Sequence, residues 1–271
     1  MFAKNANPWV SVPAPRPDAS VRLFCFPFAG GGASAYRSWA SLFPAEVEVC
    51  AVQLPGREER FREPLLRHHQ TLVAHACGGM QRLLDRPFAL FGHSMGAMIA
   101  FECARRLRRH GHRPVELFVS ACHAPQLPLP RKPIHDLPDD QLLREVGRLG
   151  GTPAQVLENE ELMDLIKPVL RADLALHETY AYGEEPPLDA PITALAGADD
   201  PVVRPAHIAP WSAQTSGPFA MKEFAGGHFF IHQHAKSVAH VVASKLATPF
   251  PARERHRTSL PLQAAERRTE S

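Results

Sequence analysis

Six short apolar runs punctuate the chain: "VRLFCFPF" (21–28), "VEVCAVQL" (47–54), "PFALFGH" (87–93), "VELFVSAC" (115–122), "PITALAGA" (191–198) and "FAMKEFAG" (219–226). Runs of this length, bounded by Gly and Pro, predict strands buried on both faces, as in a parallel sheet. Patterns of helical period lie between them. "SAYRSWASLF" follows the first run, "LLRHHQTLVAHACGGMQRLL" precedes the third, and "MGAMIAFECARRLRRH" follows it, with Met98, Phe101, Ala104 and Leu107 on one face. Strands alternating with helices predict an α/β domain, a doubly wound and mostly parallel central sheet flanked by helices. No internal repeat appears.

The interval 124–187 breaks this alternation. It starts with the stiff "APQLPLPRKP" and continues as two helical stretches, "DDQLLREVGRL" (139–149) and "ENEELMDLIKPVLRADLALHETYAY" (158–182), with Pro168 expected to kink or divide the second. A helical insertion of this kind between two core strands predicts a lid over the carboxyl edge of the sheet; an ordinary pair of crossover helices is the alternative. The core is expected over 21–123 and 188–246. Both ends, 1–20 and 247–271, lack a hydrophobic period and are expected to be flexible extensions.

Composition narrows the partners. The 271 residues, 45% hydrophobic, are enough for one sizeable core. Lys and Arg total 30 against 28 Asp and Glu; the segment 253–271 holds five Arg and three Glu, leaving 25 of each sign in the body. A balanced body creates no broad field for nucleic acid or an anionic membrane. The five cysteines, Cys25, Cys50, Cys77, Cys103 and Cys122, are widely spaced and form no C-x-x-C pair, which argues against a disulfide framework or a zinc site and for a reducing compartment. With no apolar signal region and no apolar stretch of membrane-spanning length, a cytoplasmic protein is expected, with neither membrane nor nucleic acid as partner.

The chemistry centres on Gly92-His93-Ser94-Met95-Gly96. A strand passing directly into a helix must turn sharply, and Gly on either side of the bend relieves conflict with the neighbouring strand and helix. Ser94 then projects from the sheet at a helix N-terminus, where the dipole favours developing negative charge. A serine hydroxyl needs an imidazole base and a carboxylate to orient it, in the order Ser, acid, His for this kind of turn. "ALAGADDPVV" places Asp199 and Asp200 directly after an apolar run. Asp200 is preferred because Pro201 holds it in an extended turn, leaving Asp199 as a turn former or capping neighbour. "FAGGHFFIHQH" places His228 on a Gly-rich loop that Phe229 and Phe230 anchor, with His232 and His234 on the face of a final helix. His228 and His232 have H-x-x-x-H spacing, but no Glu follows the first and no third ligand is evident, so no metal is expected.

An oxyanion hole is also required. Its expected donors are the backbone N–H groups of Met95, just after Ser94, and of Ala29, opening the Gly-rich turn in "FPFAGGGASAYRSW". That turn lacks the spacing of a dinucleotide or P-loop motif.

Taken together, "FCFPFAGGGASAYRSW", "VQLPGREERF", "FALFGHSMGAMIAFECARRL", "LAGADDPVV" and "FAGGHFFI" resemble the external, type II thioesterases of polyketide and nonribosomal peptide assembly lines, over about 21–246. The resemblance implies an α/β-hydrolase fold with a helical lid. It implies hydrolysis of acyl groups from the phosphopantetheine arm of acyl or peptidyl carrier proteins, clearing stalled or wrongly loaded chains in antibiotic biosynthesis, with no cofactor. Ser94, Asp200 and His228 match the family's triad, and Ala29 and Met95 its oxyanion positions. Leu90 stands where an aromatic is common, and the polar C-terminal tail runs past the usual end. Readings on the same fold are a general serine esterase and an acyltransferase or cyclase; a catalytically idle binding protein would usually lack a triad member. For carrier docking, "ARRLRRH" (104–110) and "GREERFR" (56–62) are candidate basic patches, although Arg at a helix end also complements the dipole.

Overall fold

The computed structural model describes residues 7–151 and 154–247. A seven-stranded sheet forms its centre: β1 (Val10–Ser11), β2 (Val21–Phe26), β3 (Val47–Val52), β4 (Phe88–His93), β5 (Leu117–Ser120), β6 (Ile192–Gly197) and β7 (Phe219–Phe224). Its order is β1-β3-β2-β4-β5-β6-β7, with β1 antiparallel to β3 and every other pairing parallel. All six apolar runs are thus strands. β2 to β6 are buried at every residue, whereas the edge strand β7 is partly exposed.

Period-two alternation sends side chains into two separate layers. Phe24, Phe26, Phe88 and Leu90 enter one, packed by α1 (His69–Met80) and α2 (Met95–Arg109). Val21, Leu23, Ala89 and Phe91 enter the other, beneath a 3-10 helix at Ala33–Leu42 and the C-terminal helix introduced below. The Phe91 ring lies 4.8 Å from that of Trp39, tying the 3-10 helix to the central strand.

Between β5 and β6 the chain forms α3 (Asp139–Leu149), α4 (Ala154–Leu157) and α5 (Glu160–Glu178). Leu142, Val146, Met163, Leu170 and Leu174 give these helices a small core of their own. Asn159 caps α5 by accepting the N–H of Leu162 at 3.0 Å. Pro168 does not divide α5. The backbone carbonyl its missing N–H leaves without a partner belongs to Asp164, an exposed residue that water can serve.

After β6 come α6 (Pro205–Ile208), then α7 (Phe230–Gln233) and α8 (Ala235–Leu246). The single expected C-terminal helix is therefore broken: His232 lies on α7, and His234 occupies the junction before α8.

The N-terminal extension expected over 1–20 is corrected for the described part, 7–20. β1 pairs Val10 with Val52, and the Arg16 guanidinium donates to the carbonyls of Phe43 and Val47 at 3.1 and 2.7 Å. These bonds satisfy backbone groups that an isolated extension would leave to water. Residues 1–6 and the tail from 248 on lie outside the described residues. All five cysteines are free and buried. Among the described residues no helix is long and apolar enough to cross a membrane.

Candidate active site

Ser94 sits between β4 and α2 with φ 53° and ψ −123°, a conformation L residues rarely adopt. The flanking glycines make the turn possible. A Cβ on Gly92 would lie 2.1 Å from the Gly96 carbonyl oxygen, and one on Gly96 would lie 2.3 Å from that of Phe26. The bend is held by the Ser94 N–H donating to the Ser120 carbonyl at 2.8 Å, and by the Ala97 N–H donating to the Ser94 carbonyl at 2.9 Å.

Three elements distant in sequence meet here. His228, in the loop after β7, has its Nε2 2.9 Å from Ser94 Oγ and its Nδ1 2.7 Å from Asp200 Oδ2. A carboxylate only accepts, so Nδ1 carries the proton and Nε2 is left to accept from the serine hydroxyl. Asp200 Oδ1 accepts the N–H groups of Val202 and Val203 at 2.8 and 2.9 Å. Burial pushes the Asp200 carboxyl up, but the His228 hydrogen bond and charge and these two amides outweigh it, and its pKa falls below the ordinary 3.8. Asp199 faces elsewhere: its carboxylate accepts the Gly226 N–H at 3.2 Å, joining the β6 and β7 loops.

The aromatic neighbours fix the histidine loop. Phe229 meets Phe28 edge to face at 4.9 Å, and Phe230 stacks on Phe224 at 5.2 Å. His93, the residue before Ser94, is fully buried, with its Nδ1 2.9 Å from Ser120 Oγ. Burial first, then the neighbouring His228 and His232, push its pKa well below 6.5. It therefore stays neutral and adds no positive charge beside His228.

Ser94 and His228 open onto a cleft whose empty space, about 860 Å³, includes open solvent. Phe28, Ala29 and Met95 line it on the core side; Val146, Leu149, Leu170 and Leu174 line it from α3 and α5. Among the described residues neither the Ala29 nor the Met95 backbone N–H donates to another protein group.

Several residues of the site have no sequence signal. His123, just after β5, and His177, near the end of α5, both line the cleft. Asp173 of α5 bonds Arg57 and the Gly30 N–H beneath the Gly-rich turn. Long-range packing brings these together, and no local spacing announces it. The candidate basic patches are largely absorbed internally: Arg105 is buried and pairs with Glu102 at 2.7 Å and Glu185 at 3.2 Å, while Arg60 lies 4.1 Å over the Trp9 ring. Arg109 also pairs with Glu185, at 2.5 Å.

Residues 21–246 match the family model described as thioesterase domain. The chain is 42% identical over 233 residues to the gramicidin S biosynthesis protein GrsT of Aneurinibacillus migulanus, covering 86% of this chain and 91% of that one. To thioesterase PikA5 of Streptomyces venezuelae it is 38% identical over 240 residues, 88% of this chain and 85% of that one. The solved structure of the type II thioesterase BorB from the borrelidin biosynthetic cluster is similar with a TM-score of 0.82 at 39% identity, over 88% of this chain and 97% of that one.

Proposed function

The chain belongs to the thioesterase family, serine hydrolases of α/β-hydrolase fold that act on thioesters, and from that premise we propose that it frees acyl groups from the phosphopantetheine arm of carrier proteins. The observation that carries this reading is the continuous hydrogen-bonded run Asp200–His228–Ser94 at the mouth of an apolar cleft.

In the proposed reaction the acyl chain enters the cleft beneath α3 and α5. Ser94 Oγ attacks the thioester carbonyl carbon as its proton passes to His228 Nε2. Asp200 holds the ring and balances the imidazolium, its own charge stabilised by the Val202 and Val203 amides. The N–H groups of Ala29 and Met95 receive the oxyanion, a contribution of a few kcal/mol to the transition state. Collapse expels the pantetheine sulfur, which takes the proton from His228, and leaves an acyl-serine. Water, deprotonated by His228, then attacks the ester; its proton returns to Ser94 as the acid leaves.

The biosynthetic relatives GrsT, PikA5 and BorB support a place beside a polyketide or nonribosomal peptide assembly line, where release of stalled or wrongly loaded chains is the proposed task. Five free thiols support a cytoplasmic setting. Ser94→Ala is the test. The folded variant is expected to lose hydrolysis of acyl-carrier proteins and labelling by a fluorophosphonate; retained turnover would overturn the assignment of Ser94.

A further inference from the structure

The cleft contains two polar groups for which the reaction above has no use. His123 Nδ1 and His177 Nδ1 are buried and lack a hydrogen-bond partner among the described residues. Their rings meet edge to face, with centroids 5.5 Å apart. Glu178, also on the cleft wall, is partly engaged: its Oε2 accepts the N–H groups of Ile134 and His135, both at 2.9 Å, while its Oε1 has no hydrogen bond and only the charge of the Arg131 guanidinium at 3.4 Å. The two imidazole nitrogens have neither a hydrogen bond nor an ion pair among the described residues.

Their surroundings set the class of ligand. Leu129, Val146, Leu149, Leu170 and Leu174 make the adjoining wall apolar. Burial first, and then the neighbouring His207, push His123 down to about 4; burial first, and then His123 and His228, push His177 down to about 3. Both rings are neutral at physiological pH, so each offers one N–H donor and one lone pair and attracts no carboxylate or phosphate by charge. A saturated acyl chain would leave both nitrogens without a partner, as they already are in the free protein, which is unfavourable for a desolvated polar group. A chain with an oxygen along its length would pair them: a carbonyl accepts from a ring N–H, and a hydroxyl accepts from one ring and donates to the other.

We propose that His123 and His177 form a polar subsite in the acyl cleft that selects thioesters whose chain carries a hydroxyl or carbonyl oxygen beyond the thioester carbonyl. The subsite rests on the reading of Ser94 as the thioester nucleophile. It makes the cleft selective for partly processed, oxygen-bearing chains over fully reduced ones of equal length, a discrimination that a purely apolar wall provides poorly.

The test compares kcat/KM for butyryl- and 3-hydroxybutyryl-pantetheine, and for a longer pair bearing the hydroxyl further along the chain. The wild-type protein is expected to favour the hydroxylated member of at least one pair. His123→Leu and His177→Leu should each lower that ratio by roughly 3- to 10-fold, and His177→Asn, which keeps a donor and an acceptor, by less. Ratios equal in wild type and both Leu variants would overturn the subsite. Should the Leu variants not fold, calorimetry on Ser94→Ala decides: tighter binding of the hydroxylated thioester supports the subsite and equal binding overturns it. Cys122, His123 and His177 have ligand atoms within 4.8 Å of one another. Zinc inhibition of the wild type, abolished by His177→Leu and unaccompanied by any preference for hydroxylated chains, would overturn the proposal in favour of a metal site. Failure of the wild type to turn over any thioester would instead count against the Ser94 reading.

Discussion

Arg57 and Asp173 join helix α5 to the loops at the carboxyl end of the sheet, with Nη2 donating to Oδ1 at 2.8 Å and both side chains buried. Asp173 Oδ2 also accepts the Gly30 N–H at 2.8 Å, one residue from Ala29, while Arg57 donates to the Gly31 carbonyl at 3.1 Å. One ion pair thus locks the helix over the cleft to the loop proposed to bind the oxyanion. Asp173→Ala leaves a buried guanidinium unpaired and is expected to cost about 3–5 kcal/mol in urea denaturation. Asp173→Asn retains an acceptor for Gly30 but loses the charge, and should lower kcat more than it raises KM.

Asp200→Asn tests the orienting carboxylate. An amide in this place can donate to His228 Nδ1 and favour the tautomer with its proton on Nε2, which cannot accept from Ser94. Steady-state hydrolysis should show kcat lower by about 10⁴-fold, with an unchanged circular dichroism spectrum.

Gly96→Ala tests the turn. Its Cβ would press on the backbone oxygens of Phe26 and Pro27, at 2.3 and 2.6 Å, so strand or helix must shift. We expect a lower thermal midpoint and loss of fluorophosphonate labelling. Gly183→Ala, where an added Cβ meets nothing within 4 Å, should stay within about 0.5 kcal/mol of wild type.

Acid should destabilise the protein in two stages. The native pKa values of His93, His123 and His177 are lowered from 6.5. Below that value the unfolded chain binds more protons than the native one, so stability falls as pH falls. Each histidine contributes a slope of up to about 1.4 kcal/mol per pH unit, less for His177, whose ring is partly exposed to the cleft. For His123 the loss levels off near pH 4, where the native ring protonates too. Asp200, with its native pKa below 3.8, adds stability that is present above that pH and lost as pH falls through its native value. Urea midpoints measured from pH 7 to 3 should show a fall beginning near 6.5, and His123→Leu should flatten it. A constant midpoint down to pH 4.5 would contradict this.

The central sheet and the Ser94 turn are legible in the chain because both rest on local rules. Continuous apolar runs report strands covered on two sides, and Gly92 and Gly96 mark where backbones must approach closely. Pro201 likewise favours Asp200 over Asp199, and the hydrogen bond to His228 lies on Asp200. Edge pairing was hidden: β1 is two residues long, too short for a period. The break between α7 and α8 and the continuity of α5 through Pro168 also depend on surroundings that local propensity does not contain.

By itself the sequence determined the strands, the strained serine turn and the order of serine, acid and histidine, since backbone sterics and hydrophobic period act over a few residues. Only the tertiary structure decided what surrounds them. The pairing of Arg57 with Asp173 spans 116 positions, and His123 meets His177 where α5, packed on α2, comes beside the chain that follows β5. Such contacts are fixed by how whole helices dock on the sheet, a choice made by summed burial over many residues and written in no short segment.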